Sequence, residues 1–171
     1  MLHVLHKALY EIYTHPRRLL EKSCGETRWV CHEKNFENLL LHYKISFTRH
    51  PNGVQRSPDF SAGGYSIELK STMSNRIFLN DSFFVEDHIY VISTKNSSIV
   101  AFGEDICTDK ERNSYEQYKK SMTLFKQQFK GVGRLSLYPR SATQYCIKNL
   151  DREDLWEMVK LKLKVNGKSF K

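Results

Sequence analysis

The chain has 171 residues, 40% of them hydrophobic and 27% charged, with only four prolines and eight glycines. That composition suits one globular domain with its own core and excludes collagen-like and low-complexity classes. Lys and Arg number 27 against 19 Asp and Glu, a formal net charge of +8; residues 1–105 hold 12 of each sign, whereas residues 106–171 hold 15 basic against 7 acidic, so the whole excess lies in the last 66 residues and suits a polyanion such as nucleic acid.

Leu2, Leu5, Ala8, Leu9, Ile12 and Tyr13 recur at helical spacing over residues 2–14, and Pro16 ends or kinks that helix. A second helix is expected over about 27–43, with Val30, Phe36, Leu39, Leu40 and Tyr43 facing inward. Residues 46–58, SFTRHPNGVQRSP, read as a loop rich in breakers. The middle of the chain reads as strands. Residues 65–70 alternate apolar and polar, and HIYVIS (88–93) and IVAF (99–102) are short apolar runs of the kind covered on both faces. Helical period returns over 109–130, where Tyr115, Tyr118, Met122, Phe125 and Phe129 form an aromatic stripe, read as core packing, beside Lys119, Lys120, Lys126 and Lys130. A strand or hairpin region follows, and a last helix spans about 151–164 with Asp151 as N-cap. This order argues a single α/β or α+β domain over 1–171 around one central sheet flanked by helices.

No run of about 18 apolar residues occurs, and polar residues interrupt MLHVLHKALYEIYTHPRR too often for a secretory leader, so a cytoplasmic, stand-alone protein with no membrane partner is expected. Cys24, Cys31, Cys107 and Cys146 form no CxxC pair and are read as reduced thiols; a zinc site using His32 and His50 matches no known spacing.

The informative segment is Ser57-Pro-Asp-Phe-Ser-Ala-Gly-Gly-Tyr-Ser-Ile-Glu-Leu-Lys70. Gly63-Gly64 signals a hairpin, and alternation on the second strand puts Ser66, Glu68 and Lys70 on one face. Glu68 and Lys70 are then about 6.6 Å apart along the strand, and the hairpin brings Asp59 beside them. Two carboxylates and an ammonium suit a hard divalent ion that also accepts phosphate oxygens, lowers the pKa of a bound water and stabilises charge developing on a phosphodiester. A nearby lysine orients or deprotonates the attacking water. Arg49, His50, Asn52, Gln55 and Arg56 precede Asp59 in a polar stretch placed to meet a DNA groove, and Asn75, Arg76, Asn80 and Ser82 are further candidate DNA contacts, with turn chemistry as the competing reading. No Walker-type loop, G-x-G-x-x-G or Ser/Cys–His nucleophile motif occurs.

Pro58-Asp59 followed by Glu68-Leu69-Lys70 resembles the PD-(D/E)XK nuclease superfamily. With Ser71, then Asn80-Asp81-Ser82 and the strand HIYVIS, residues 30–105 are similar to type II restriction endonucleases. The resemblance implies a restriction-endonuclease-like core with a mixed sheet. It implies Mg²⁺ (Mn²⁺ substituting) held by Asp59, Glu68 and the Leu69 carbonyl, with Lys70 assisting the water. It also implies an acid on the preceding helix, Glu33 with Glu37 as competitor, and a homodimer cutting double-stranded DNA at a short site to leave 5′-phosphate ends. A junction resolvase, a homing or repair nuclease, a viral RNA endonuclease and a non-catalytic nucleic-acid-binding protein stay open as alternatives.

Overall fold

A computed structural model describes residues 2–21, 28–50, 58–79, 83–128 and 143–168. In chain order the elements are α1 (Leu2–Thr14), α2 (Arg28–His42), β1 (Phe47–Arg49), β2 (Phe60–Ala62), β3 (Tyr65–Ser71), β4 (Arg76–Phe78), β5 (His88–Ser93), β6 (Ser98–Phe102), α3 (Gly103–Ile106), α4 (Asp109–Gln128), β7 (Gln144–Cys146) and α5 (Arg152–Lys168). The fold is α+β. Five strands form a mixed sheet in the order β1-β2-β3-β5-β6, and β4 pairs with β7 in a separate ribbon. Only β3 and β5 run parallel; β1–β2, β2–β3 and β5–β6 are antiparallel.

The sheet separates two cores, and side-chain alternation assigns each strand residue to one of them. On the first face Phe60, Ile67, Leu69, Ile89, Val91, Val100 and Phe102 meet Leu5, Leu9 and Ile12 of α1, Phe36, Leu39 and Leu40 of α2, and Trp156, Val159 and Leu163 of α5. On the second face Tyr90, Ile92, Ile99 and Ala101 meet Ile77, Phe84, Ile106, Ile147 and Leu155. Arg152 ties the first layer together: its guanidinium lies 3.8 Å from the Tyr13 ring centroid and donates to the carbonyls of Ser98 and Tyr13.

The expected elements at 2–14, 65–70, 88–93 and 99–102 are present, and the expected last helix is α5, with Asp151 Oδ1 accepting the Glu153 and Asp154 N–H groups at 3.0 and 3.1 Å as an N-cap does. Two expectations are corrected. Residues 47–49 are not loop but an edge strand, because the ladder to β2 supplies what local sequence does not, with Phe47 tilted against Phe60 at 6.0 Å. The aromatic stripe of α4 is not core throughout. Tyr115 is buried and stacks on Phe83 at 4.5 Å, but Tyr118 and Phe125 are 37% and 44% exposed. The expected strand or hairpin region after α4 contributes β7; the rest of it, with Phe129 and Lys130, and the side chain of Val30, lie outside the described residues. Cys107 and Cys146 are free thiols, Cys31 is buried in α2, and Cys24 lies outside the described residues. Among the described residues no helix is long and apolar enough to cross a membrane.

Candidate active site

Gly63 and Gly64 close the β2–β3 hairpin with φ of 61° and 88°. Positive φ at both central positions is what a tight two-residue turn of type I′ requires, and glycine adopts it without strain. At Gly63 a side chain would also meet Leu5 Cδ2 at 2.9 Å, so the turn is seated on α1. The turn fixes the register as Ala62↔Tyr65, Ser61↔Ser66 and Phe60↔Ile67. One step further sets Asp59 opposite Glu68 on the same face of the sheet, at a pair of the closely spaced, non-hydrogen-bonded kind.

Instead of continuing the ladder, the chain turns the Asp59 carboxylate inward: the Leu69 N–H donates to Asp59 Oδ2 at 2.7 Å. The residue that the register would place opposite Leu69 is Pro58, which has no N–H to offer. Because the N–H and C=O of a strand residue point to the same side, the Leu69 carbonyl faces the Asp59 side of β3, where the ladder has no donor for it. Two carboxylates and a carbonyl oxygen thus converge on one edge.

Lys70 lies on the same face of β3 as Glu68 and donates from Nζ to Glu68 Oε1 at 2.5 Å, each side chain about one-fifth exposed (20% and 19%). Burial raises the Asp59 carboxyl above its ordinary range and the charge of Glu68 adds to this; the Leu69 N–H, Lys70 and Arg49 oppose it. The site therefore carries apposed like charges at a half-desolvated edge, a situation that an added cation relieves. Behind it, Tyr90 sits beside Glu68 in the parallel register with its hydroxyl accepting the Val85 N–H at 2.9 Å, and burial pushes that phenol up to about 12, so it is a structural group.

The helix acids arrive from α2. Arg49 Nη2 meets Glu33 Oε2 at 2.8 Å and Nη1 meets Glu37 Oε2 at 3.2 Å, so Glu33 and Glu37 share one guanidinium. The adjacent His50 donates its N–H to the Asp59 carbonyl at 3.0 Å and hydrogen-bonds Ser61 Oγ through its ring at 2.9 Å. Buried His32, one residue before Glu33, holds α2 to the sheet through a 2.9 Å bond to Ser93 Oγ. Neither histidine stands in a metal-binding cluster; among the described residues no group of three or more His, Cys, Asp or Glu is arranged to hold a metal. The donor set at Asp59, Glu68 and Leu69 is all oxygen and too small for a closed protein cage, which fits a hard ion that keeps several waters, such as Mg²⁺, and does not fit zinc.

Of the expected DNA contacts, Asn75 and Arg76 are exposed next to the β4–β7 ribbon, where Arg76 Nη1 reaches Gln144 Oε1 at 3.5 Å and the Asn75 carbonyl accepts the Ile147 N–H. Asn52, Gln55, Arg56, Asn80 and Ser82 lie outside the described residues. The basic C-terminal part is partly neutralised: Lys162 pairs with Glu104 and Asp105 at 2.7 and 2.6 Å, and Lys160 with Glu157. Sequence reasoning missed the bond between Arg49 and the two helix acids. Glu33 and Glu37, four residues apart on one helix face, were its signal, since such a like-charged pair is mildly destabilising and a cation nearby relieves it. Compared with protein-family models, with curated proteins and with solved structures, the chain matches none.

Proposed function

We propose that this chain is a Mg²⁺-dependent endonuclease that hydrolyses phosphodiester bonds of double-stranded DNA, acting as a type II restriction endonuclease on a restriction-endonuclease-like fold. The observation that carries the reading is the apposition of Asp59 and Glu68 by the hairpin register, with Lys70 on Glu68 and the Leu69 N–H on Asp59. Asp59, Glu68 and the Leu69 carbonyl are the groups that would hold the ion. When bound, a divalent ion supplies a water of lowered pKa and neutralises charge on the phosphate. Lys70 is the group that would orient the attacking water or contact a phosphate oxygen, its ammonium kept at the site by Glu68. The hairpin fixes these groups on a strand that is paired on both sides, so little rearrangement is needed when substrate arrives. Asn75 and Arg76 supply exposed hydrogen-bonding groups for the duplex, whereas Arg49 is engaged by Glu33 and Glu37, and a homodimer would present two such sites to the two strands.

Incubating plasmid and phage DNA with the purified protein, with and without Mg²⁺ or Mn²⁺, tests this. Discrete metal-dependent fragments are expected, and Asp59→Ala, Glu68→Ala and Lys70→Ala should each lower cutting by at least about 10³-fold with the circular dichroism spectrum unchanged. DNA left intact under both metals by a folded protein that still binds it in a salt-dependent way would instead mark a non-catalytic nucleic-acid-binding protein.

A further inference from the structure

We propose that Arg49 is a built-in cation that fills the Glu33–Glu37 pair, so that each chain holds one divalent ion, at Asp59 and Glu68, and not a second. The inference rests on the metal-site reading given above and concerns how many ions that site takes. Glu33 and Glu37 lie one turn apart on one face of α2, where side chains start about 5–6 Å from each other. Two carboxylates so placed are oxygen donors that a second hard cation would seek. The guanidinium already occupies that position, one terminal nitrogen on each acid, at 2.8 and 3.2 Å. It is a fixed charge, since arginine does not deprotonate in proteins, and its planar fork suits two acceptors at once.

The backbone holds it there. Arg49 stands opposite Phe60 in the β1–β2 register, on the face of the sheet that α2 covers, and the next residue, His50, donates its N–H to the Asp59 carbonyl, so the Arg49 backbone is held one strand position from that of Asp59. Glu33 is then a positioning residue for Arg49 and not a metal ligand.

Counting Mn²⁺ per chain, by calorimetric titration and by the loss of the free-ion electron paramagnetic resonance signal, decides the matter without any cleavage assay. The wild-type chain should bind one ion, Asp59→Asn should lose it, and Glu33→Gln should keep it. Arg49→Met should gain a second ion, which Arg49→Met/Glu33→Gln should lose again, while Arg49→Lys should stay at one. Two ions on the wild-type chain, or loss of the ion in Glu33→Gln, would overturn the inference and leave the metal-site reading standing. No Mn²⁺ binding by the wild type would overturn both. If circular dichroism shows that Arg49→Met does not fold, the wild-type and Glu33→Gln counts still decide it.

Discussion

β3 and β5 are neighbours in one sheet, run in the same direction and share a six-pair register, yet they present opposite surfaces. From Ile89 to Ser93 every residue of β5 is buried, because the first core covers one face and the Ile77, Phe84 and Ile147 layer covers the other. On β3 only Ile67 and Leu69 are buried; Glu68 and Lys70, beside Tyr90 and Ile92 in the register, fall at the margin of the second core. A strand covered twice holds apolar side chains and the occasional hydrogen-bonded polar one, as Ser93 is bonded to His32, whereas a strand covered once offers a face on which charges are partly stripped of water but still reachable. The proposed chemistry falls on that boundary, and the covered side packs it against two cores.

The contrast can be broken most severely from the covered side. Phe36→Ala removes a fully buried ring tilted against Phe60 at 5.1 Å, beneath the hairpin, and should cost about 3–5 kcal/mol in urea denaturation. Next comes the joint between α2 and β5. Burial lowers His32 from 6.5 to about 4, so the folded state keeps this histidine neutral while the unfolded chain protonates it first. The associated stability is fully present above pH 6.5 and is lost as the pH falls toward 4, by roughly 3 kcal/mol in all. Denaturation midpoints measured between pH 7 and 4 should show that slope, and His32→Gln should flatten it.

The turn gives a smaller effect. Gly63→Ala should lower stability by about 1–2 kcal/mol, and more than Gly64→Ala, because at Gly64 an added carbon meets nothing within 4 Å. The smallest effect has the opposite sign. Asp59→Asn removes a like charge facing Glu68 and should raise metal-free stability by about 0.5–1 kcal/mol, seen as a higher melting temperature, while ending metal-dependent cutting. A folded-state carboxyl held above its ordinary range loses stability as the pH rises through that range, so the gain should appear at neutral pH and vanish in acid.

Much of this was legible in the chain. HIYVIS is continuous and apolar and becomes the strand buried on both faces, and Gly63-Gly64 with the alternation at 65–70 placed Asp59, Glu68 and Lys70 on one edge. What misled was the stripe on α4: helical period says that Tyr115, Tyr118 and Phe125 share a side of the helix, not that all three are buried to the same depth. Short elements were hidden for another reason. β1 and β4 are three residues each and exist only through partners elsewhere in the chain, Arg76 of β4 being separated from its partner Cys146 by most of the C-terminal half. The tie from Arg49 to Glu33 and Glu37 was hidden in the same way, since Arg49 was read in a loop and became a strand residue only through β2.

Anomalous diffraction from crystals of the protein soaked in Mn²⁺ tests the central claim most directly. The expected result is a peak within coordination distance of the Asp59 and Glu68 carboxylates and the Leu69 carbonyl, absent from Asp59→Asn crystals. A folded chain with no density there, or with its ion bound away from the β2–β3 hairpin, would contradict it.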